Sequence, residues 1–397
     1  MGKCTYSALK GVRVPTLSSQ GRLSLGVVTL YGIRVVGVHD GAVRRTGPQR
    51  QANAQVRGPA GPGPSTLPSV RVAVTVPVMT DISLRRNKVA IVGAGSVGAT
   101  LAYASLIRGV AHDVVLYDMA KAKVEAEVLD LRHGLQFCPP ADVDGSDDVA
   151  ICANADVIAI TAGAKQKPGQ TRLELAGINV DICRKLIPAL LDVAPDAVIV
   201  MVTNPVDVLT YAALKFSGLP KNRVLGSGTV LDSARLRQVI ARKLNVASQS
   251  VHAFIAGEHG DSEFPLWSSA SIGTVPVLDF AAPDGTTLDE EQEAQIAHDV
   301  VNAAYSIILG KGATNYAVGL AGARVLEAIL RDENGVLPVS SLLDGFHGIT
   351  DVCLSLPSLV NKSGVASMLD VPLSDREVEQ LKASAAEVKS VQASLGL

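Results

Sequence analysis

Of the seven histidines in this 397-residue chain, His259 lies inside a Gly–acid–His–Gly–acid turn, Gly257–Glu263 (GEHGDSE). An imidazole titrates near neutral pH, so it can both give and take a proton during a reaction. Three further clusters pair charged or polar groups with glycine or proline: Ala162–Leu173 (AGAKQKPGQTRL), Thr203–Asp207 (TNPVD) and Gly226–Arg235 (GSGTVLDSAR). Proton transfer at a histidine calls for a carboxylate that holds its tautomer and stabilises the imidazolium. A planar guanidinium is the natural clamp for a substrate carboxylate, through two parallel hydrogen bonds. Reduction of a ketone by hydride needs such an acid for the developing alkoxide.

A glycine turn supplies the second kind of chemistry. Gly93-Ala94-Gly95-Ser96-Val97-Gly98 completes a GxGxxG between an apolar strand, Lys88–Val92, and a helical segment, Val97–Arg108. Gly93 permits the tight turn, Gly95 lets a pyrophosphate approach the backbone, and Gly98 lets helix and strand pack closely. The helix N-terminus then offers free N–H groups and a positive dipole to the phosphates. Asp118 ends the second apolar strand, 118 − 93 = 25 residues on. An acid there accepts hydrogen bonds from a ribose 2′-hydroxyl and repels a 2′-phosphate, which predicts NAD over NADP. The other reading of Asp118 is a helix N-cap.

The elements that must position these groups alternate. Lys88–Val92, Asp113–Asp118, Asp156–Thr161 and Ala197–Thr203 are near-continuous apolar runs separated by helix-compatible segments. That pattern predicts a parallel sheet covered on both faces. After about Gly226 longer helices dominate: Asp232–Lys243, Glu290–Ile308 and Ser374–Leu395, with a hairpin-like region around Val251–Ile255 and Gly273–Leu278. The fold class expected is α/β, a Rossmann doubly wound parallel sheet over 86–229 followed by a mixed α/β substrate domain over 230–397.

The formal charge of −2 hides a split. Residues 1–80 hold ten basic residues and one acid, a segment of +9, whereas the rest carries 26 basic against 37 acidic residues, or −11. Gly58–Pro68 (GPAGPGPSTLP) cannot sustain a helix or central strand. Residues 1–85 therefore read as a disordered basic leader, open to three interpretations: an organelle transit peptide, a flexible arm, or untranslated sequence with the true start at Met79. The start at Met79 is favoured, and in every case the leader carries no predicted chemistry. The near-balanced charge argues against nucleic acid as a partner, and no apolar run is long enough for a membrane span. Five scattered cysteines without CxxC spacing suggest a reduced, cytoplasmic protein with no structural zinc or other metal.

Taken in order and spacing, these motifs resemble the L-lactate dehydrogenase branch of the lactate/malate dehydrogenase family, from about Asn87 to the C-terminus. The resemblance implies an NAD-dependent, reversible hydride transfer between NADH and pyruvate. In it His259 matches the proton donor and acceptor, Asp232 its carboxylate partner, and Arg235 the bidentate clamp on the substrate carboxylate. Arg172 matches the arginine of a mobile loop that polarises the carbonyl, with Lys167-Pro168-Gly169 at the tip of the lid. Asn204 matches an asparagine near carbonyl and nicotinamide, and Thr314 lines the substrate pocket. Gly163 and Ala164 join Gly93, Gly95, Ser96, Val97, Gly98, Asp118 and Asn204 in the cofactor set. Each residue has a plainer reading: Arg172 and Arg235 as surface ion-pair partners, Asn204 as a turn initiator, Asp232 as a helix cap.

Gln166 separates lactate from malate. The malate branch places an arginine there for the second carboxylate of oxaloacetate; a neutral Gln166 would leave that charge unpaired in a closing pocket, at a cost of several kcal/mol. Lys165 and Lys167 beside it blur the argument. Arg237 and His252 match the pair that binds the phosphates of fructose 1,6-bisphosphate across a subunit interface in allosteric bacterial relatives, which implies an effector and a homotetramer. Their plainer readings are an exposed helix arginine and a strand histidine facing a neighbouring subunit. Two alternatives remain: a dehydrogenase for malate or another 2-hydroxy acid, and a non-catalytic binding protein that kept the fold.

Overall fold

The computed structural model describes residues 86–164 and 171–397, together with Thr29–Leu30 and Ile33–Arg34, which form an antiparallel pair. The rest of the expected leader, with Met79, and residues 165–170, with Gln166 and the expected lid tip, lie outside the described residues. Arg85–Leu397 forms one compact unit.

That unit begins with strand β1 (Lys88–Val92) and helix α1 (Ser96–Arg108), followed by β2 (Asp113–Tyr117), α2 (Lys121–Gly134), β3 (Asp142–Ser146) and β4 (Val157–Ile160). Helix α3 (Arg172–Val193), β5 (Val198–Met201), α4 (Val206–Ser217) and β6 (Val224–Gly226) complete the first half. The six strands pair in parallel in the order β3-β2-β1-β4-β5-β6. The strand order therefore reverses between β1 and β4, the crevice where such sheets bind dinucleotides.

Period-two alternation decides which face each residue serves. Val89, Ile91, Val157, Ala159, Val198 and Val200 enter one buried cluster with Leu101 and Ala102 of α1. Their neighbours Ala90, Val92, Ile158, Ile160, Ile199 and Met201 enter another with Ile187 and Leu190 of α3 and Leu209 of α4. Both faces are dry, which is why these strands read as continuous apolar runs.

The second half opens with α5 (Val230–Lys243), whose apolar side, Leu236 and Ile240, builds a third cluster with Val251 and Ile255. Short strands follow: β7 (Val251–His252), β8 (Ile255–Ala256), β9 (Phe264–Pro265), β10 (Ser271–Ile272) and β11 (Val275–Pro276). β7, β10 and β11 make the small sheet expected from the hairpin-like region. β8 and β9 pair antiparallel, Ile255 opposite Pro265, and pinch the turn that carries His259. Helices α6 (Glu290–Lys311) and α7 (Tyr316–Leu330) precede β12 (Gly335–Phe346), β13 (Ile349–Asn361) and β14 (Gly364–Met368), and α8 (Asp375–Ser394) ends the unit. The acidic run Asp289–Glu293 starts α6, with Asp289 and Gln292 closing a capping box.

Strands β3, β6 and β12–β14 are the parts of the architecture that sequence patterning missed. β12 pairs antiparallel with β6 through Ser340 and Gly226, so the second half extends the parallel sheet to nine strands. Proline argues against a central strand because it cannot donate to the ladder. Here Pro338 stands opposite Pro357, so the two donor gaps fall at one rung.

The β1–α1 turn shows why its glycines differ in kind. A Cβ on Gly98 would stand 1.8 Å from the Gly93 carbonyl oxygen, whereas one on Gly95 would meet nothing within 4 Å. Gly98→Ala is expected to cost at least about 2 kcal/mol by forcing α1 off the sheet. Gly95→Ala should leave the urea midpoint unchanged and weaken NADH binding, because its methyl points into free space. Denaturation curves and NADH titration of the two variants check the contrast.

Candidate active site

Asp232 sits in the first turn of α5, with Thr229 as the N-cap residue, so it does not cap its helix. The start of α5 is stitched to β8: Thr229 Oγ1 donates to the Ile255 carbonyl at 2.6 Å, and Ser233 Oγ accepts the Ile255 N–H at 2.8 Å. β8 leads directly into the His259 turn, so this stitching sets the distance between the two candidate residues. The Nδ1 of His259 donates to Asp232 Oδ2 at 2.6 Å, and Nε2 has no hydrogen-bond partner among the described residues. Arg235, one helical turn beyond, donates from Nη1 to Asp232 Oδ1 at 2.5 Å. The Asp232 side chain is 2% exposed, that of Arg235 16% and that of His259 25%. One buried carboxylate thus holds a proton carrier with one oxygen and a guanidinium with the other.

The charges around the imidazole oppose its burial. Burial pulls the His259 pKa down; the Asp232 charge and hydrogen bond, with Glu263 and Asp207, outweigh it and raise the group from 6.5 to about 9. Burial would likewise raise Asp232, but His259 and Arg235 hold it below the usual carboxylate range. Glu263, 3.9 Å from His259 Nδ1, is driven the other way, upward, by burial and by Asp232.

The glycine turn fits a dinucleotide. The free space beside Gly95 lies at the first residue of α1, Ser96, followed by Val97. Gly93 adopts φ +102°, and a Cβ there would stand 2.7 Å from the Ala162 nitrogen. Asp118 spans the turn: Oδ2 accepts the Ala94 N–H at 2.7 Å and Oδ1 the Ala120 N–H at 2.9 Å. Gly163 packs so closely on Thr203 that a Cβ would come within 2.4 Å of Thr203 Cγ2. Asn179 of α3, 2% exposed, joins the two loops at this edge. It accepts the Ala164 N–H at 2.8 Å and donates to the Asn204 carbonyl at 2.9 Å. The Asn204 side chain accepts the Val206 N–H at 3.3 Å, as a turn initiator would.

The remaining residues are placed less uniformly. Arg172 is the first residue of α3, inside the Thr171–Glu174 capping box. Its guanidinium bonds Asp261 at 2.5 Å and the Tyr305 hydroxyl, and not the Asp232–His259 pair. Thr314 lies half-exposed between α6 and α7 and has no hydrogen bond to the His259 cluster among the described residues. Arg237 and His252 are neighbours: Arg237 Nε donates to the Ala253 carbonyl at 2.8 Å, its guanidinium lies 4.7 Å over the Phe254 ring, and His252 is exposed on β7. Cys152, Cys183 and Cys353 are buried, while Cys138 is half-exposed. Sequence reasoning did not single out Asn179, Asp207, Asp261, Glu263 or Tyr305. The first had a signal, a polar residue on the apolar side of α3.

A three-layered α/β architecture, with a dinucleotide turn after β1 and a histidine–carboxylate–arginine set at the start of α5, defines the class. The lactate/malate dehydrogenase NAD-binding domain matches residues 87–226, and the α/β C-terminal domain of the same family matches 229–394. The chain belongs to the lactate/malate dehydrogenase family, and NAD is its cofactor. It is 54% identical over 319 residues to an L-lactate dehydrogenase of Bifidobacterium animalis subsp. lactis, covering 80% of this chain and all of that protein. An L-lactate dehydrogenase of Gloeobacter violaceus is 47% identical, over 75% of this chain and 90% of its own. The crystal structure of a lactate dehydrogenase enzyme from a Medee basin deep-sea metagenome library superposes with a TM-score of 0.76 at 40% identity, over 79% of this chain and 100% of that one. No helix among the described residues is long and apolar enough to cross a membrane.

The raised His259 pKa carries a stability signature. Its contribution is fully present below the unfolded-state value of 6.5 and is lost as pH rises through about 9. In Asp232→Asn the charge and hydrogen bond that supply most of it are missing. Urea midpoints of the two proteins should therefore differ most near pH 6.5, with the gap narrowing by about 3 kcal/mol above pH 9. A gap independent of pH would show that the imidazolium is not held by Asp232.

Proposed function

We propose that the chain is an NAD-dependent L-lactate dehydrogenase that interconverts pyruvate and lactate. The observation that carries this reading is the shared Asp232 carboxylate, which sets a proton carrier beside a guanidinium clamp. When bound, the cofactor supplies or accepts the hydride. Arg235 pairs with the substrate carboxylate and fixes its orientation. His259, charged at neutral pH, gives its Nε2 proton to the ketone oxygen as the hydroxy acid forms, and takes it back in the reverse direction. Asp232 favours the charged imidazole before transfer and keeps Nδ1 protonated afterwards. Arg172 must exchange Asp261 and Tyr305 for the substrate carbonyl, so its part requires movement of the N-terminal end of α3 or of its side chain.

An NADH absorbance assay with pyruvate, oxaloacetate and longer 2-oxo acids tests the reading. Pyruvate should exceed oxaloacetate by at least about 100-fold in kcat/KM, the equivalent of one unpaired buried charge. Gln166→Arg is expected to reverse the order, and His259→Asn to abolish turnover while NADH still binds. Comparable rates on both acids would point to the broader 2-hydroxy-acid class; failure with every 2-oxo acid, by protein that binds NADH, would favour the non-catalytic reading.

The adjacency of Arg237 and His252 supports a second element of the proposal, activation by fructose 1,6-bisphosphate in a homotetramer. Two such pairs about a two-fold axis form a cationic pocket for a bis-phosphate. Near neutral pH the effector is expected to lower the KM for pyruvate by about 10-fold, and Arg237→Ala to remove the response. An unchanged KM with the effector would count decisively against it.

A further inference from the structure

The turn that carries His259 is held from three sides. Gly257 and Ser355 of β13 exchange two backbone hydrogen bonds, at 3.0 and 2.9 Å. Ser384 of α8 accepts the Glu258 N–H at 2.8 Å. The third anchor is Asp207, in the first turn of α4: its Oδ2 accepts the N–H of His259 itself at 2.7 Å, and its Oδ1 accepts the Ser340 hydroxyl of β12 at 2.6 Å. Of the three, only Asp207 anchors through an ionisable side chain.

Asp207 is 2% exposed, and burial pushes its pKa up to about 6. An asparagine could make the same two contacts, accepting from His259 and donating to Ser340, without burying a charge. What an amide cannot supply is negative charge next to the imidazole. Asp207 also follows Asn204 by three residues, so one carboxylate links the loop carrying Asn204 to the turn carrying His259.

We infer that Asp207 is a positioning residue for proton transfer: it fixes the His259 backbone and, through its charge, sustains the imidazolium. The inference rests on His259 being the proton carrier. Other charged groups face the same region and set the background against which Asp207 acts. They are Asp232 and Arg235 from α5, and Glu258, Asp261 and Glu263 from the turn itself. Arg172 and Tyr305 reach it through Asp261, Glu387 of α8 faces Glu258, and the Cys353 thiol of β13, pushed up by burial, lies against Asp207. Asp207 carries its charge above about pH 6, so it acts throughout the range in which His259 titrates.

Two variants separate backbone anchoring from charge. Asp207→Ala removes both contacts and is expected to lower kcat about 100-fold through misplacement of the imidazole. Asp207→Asn restores the contacts, so kcat near pH 6 should stay within about threefold of the parent enzyme. Its alkaline limb of kcat/KM for pyruvate should move down by about one pH unit, because the imidazolium has lost a supporting charge. Diethyl pyrocarbonate labelling of His259 against pH, read by peptide mapping, should show the same shift. An Asn variant with an unchanged limb and labelling profile would overturn the inference, as would an Ala variant with unchanged kcat. If the Ala variant does not fold, the Asn variant decides alone. Labelling reads the imidazole whatever its part in turnover, whereas His259→Asn tests that part, so the two failures are distinguishable.

Discussion

Moving a carboxylate from water into a protein interior costs several kcal/mol unless its oxygens find charged partners, and Asp232 meets that requirement with both oxygens. His259 takes one and Arg235 the other. The rest of the site is arranged around this demand. The register of α5 places residues 232 and 235 one turn apart, on one side of the helix. Thr229 and Ser233 lock α5 to β8, and the β8–β9 pair closes the His259 turn against the sheet. A break in any of these contacts would leave a buried charge uncompensated, so the geometry of the site is enforced by the penalty for losing it.

The electrostatics follow from crowding acids around one imidazole. Asp232, Asp207 and Glu263 all favour its charged form, and burial opposes them. The carboxyls compete at such short range: Asp232, with two cationic partners, is held below the usual carboxylate range, while burial and Asp232 push Glu263 up. Arg235 and the imidazolium together offset the charges of Asp232 and Asp207, so the cluster is balanced although the chain from residue 81 onward is acidic. The charge of the site is therefore a local property, set by one arginine, one histidine and the acids around them, and not by overall charge.

Much of the site was legible because its signals are local. GxGxxG needs only a strand before it and a helix after it, and both are visible as hydrophobic patterns. The Gly257–Glu263 turn and the 232/235 spacing are equally short-range. What escaped were residues whose meaning depends on a distant partner. Asn179 reads as an ordinary helix asparagine until its amide is seen to join residues 164 and 204. Asp207 reads as part of a turn motif until His259 arrives 52 positions later. The β12–β13 pair was hidden by Pro338 and Pro357, which weaken each strand alone and become compatible only when paired opposite each other.

By itself, then, the amino-acid sequence determined the alternation of strands and helices in the first half, its parallel sheet, the dinucleotide turn and the resemblance on which the roles of His259, Asp232 and Arg235 rest. Each of these depends on side-chain type and on spacings within a turn or a strand. The tertiary structure decided which carboxylates ionise, where the guanidinium of Arg172 rests, what anchors the His259 backbone and how the second half completes the sheet. Proton affinity and hydrogen bonding depend on desolvation and on neighbours brought from distant segments, and only the folded chain assembles those neighbours.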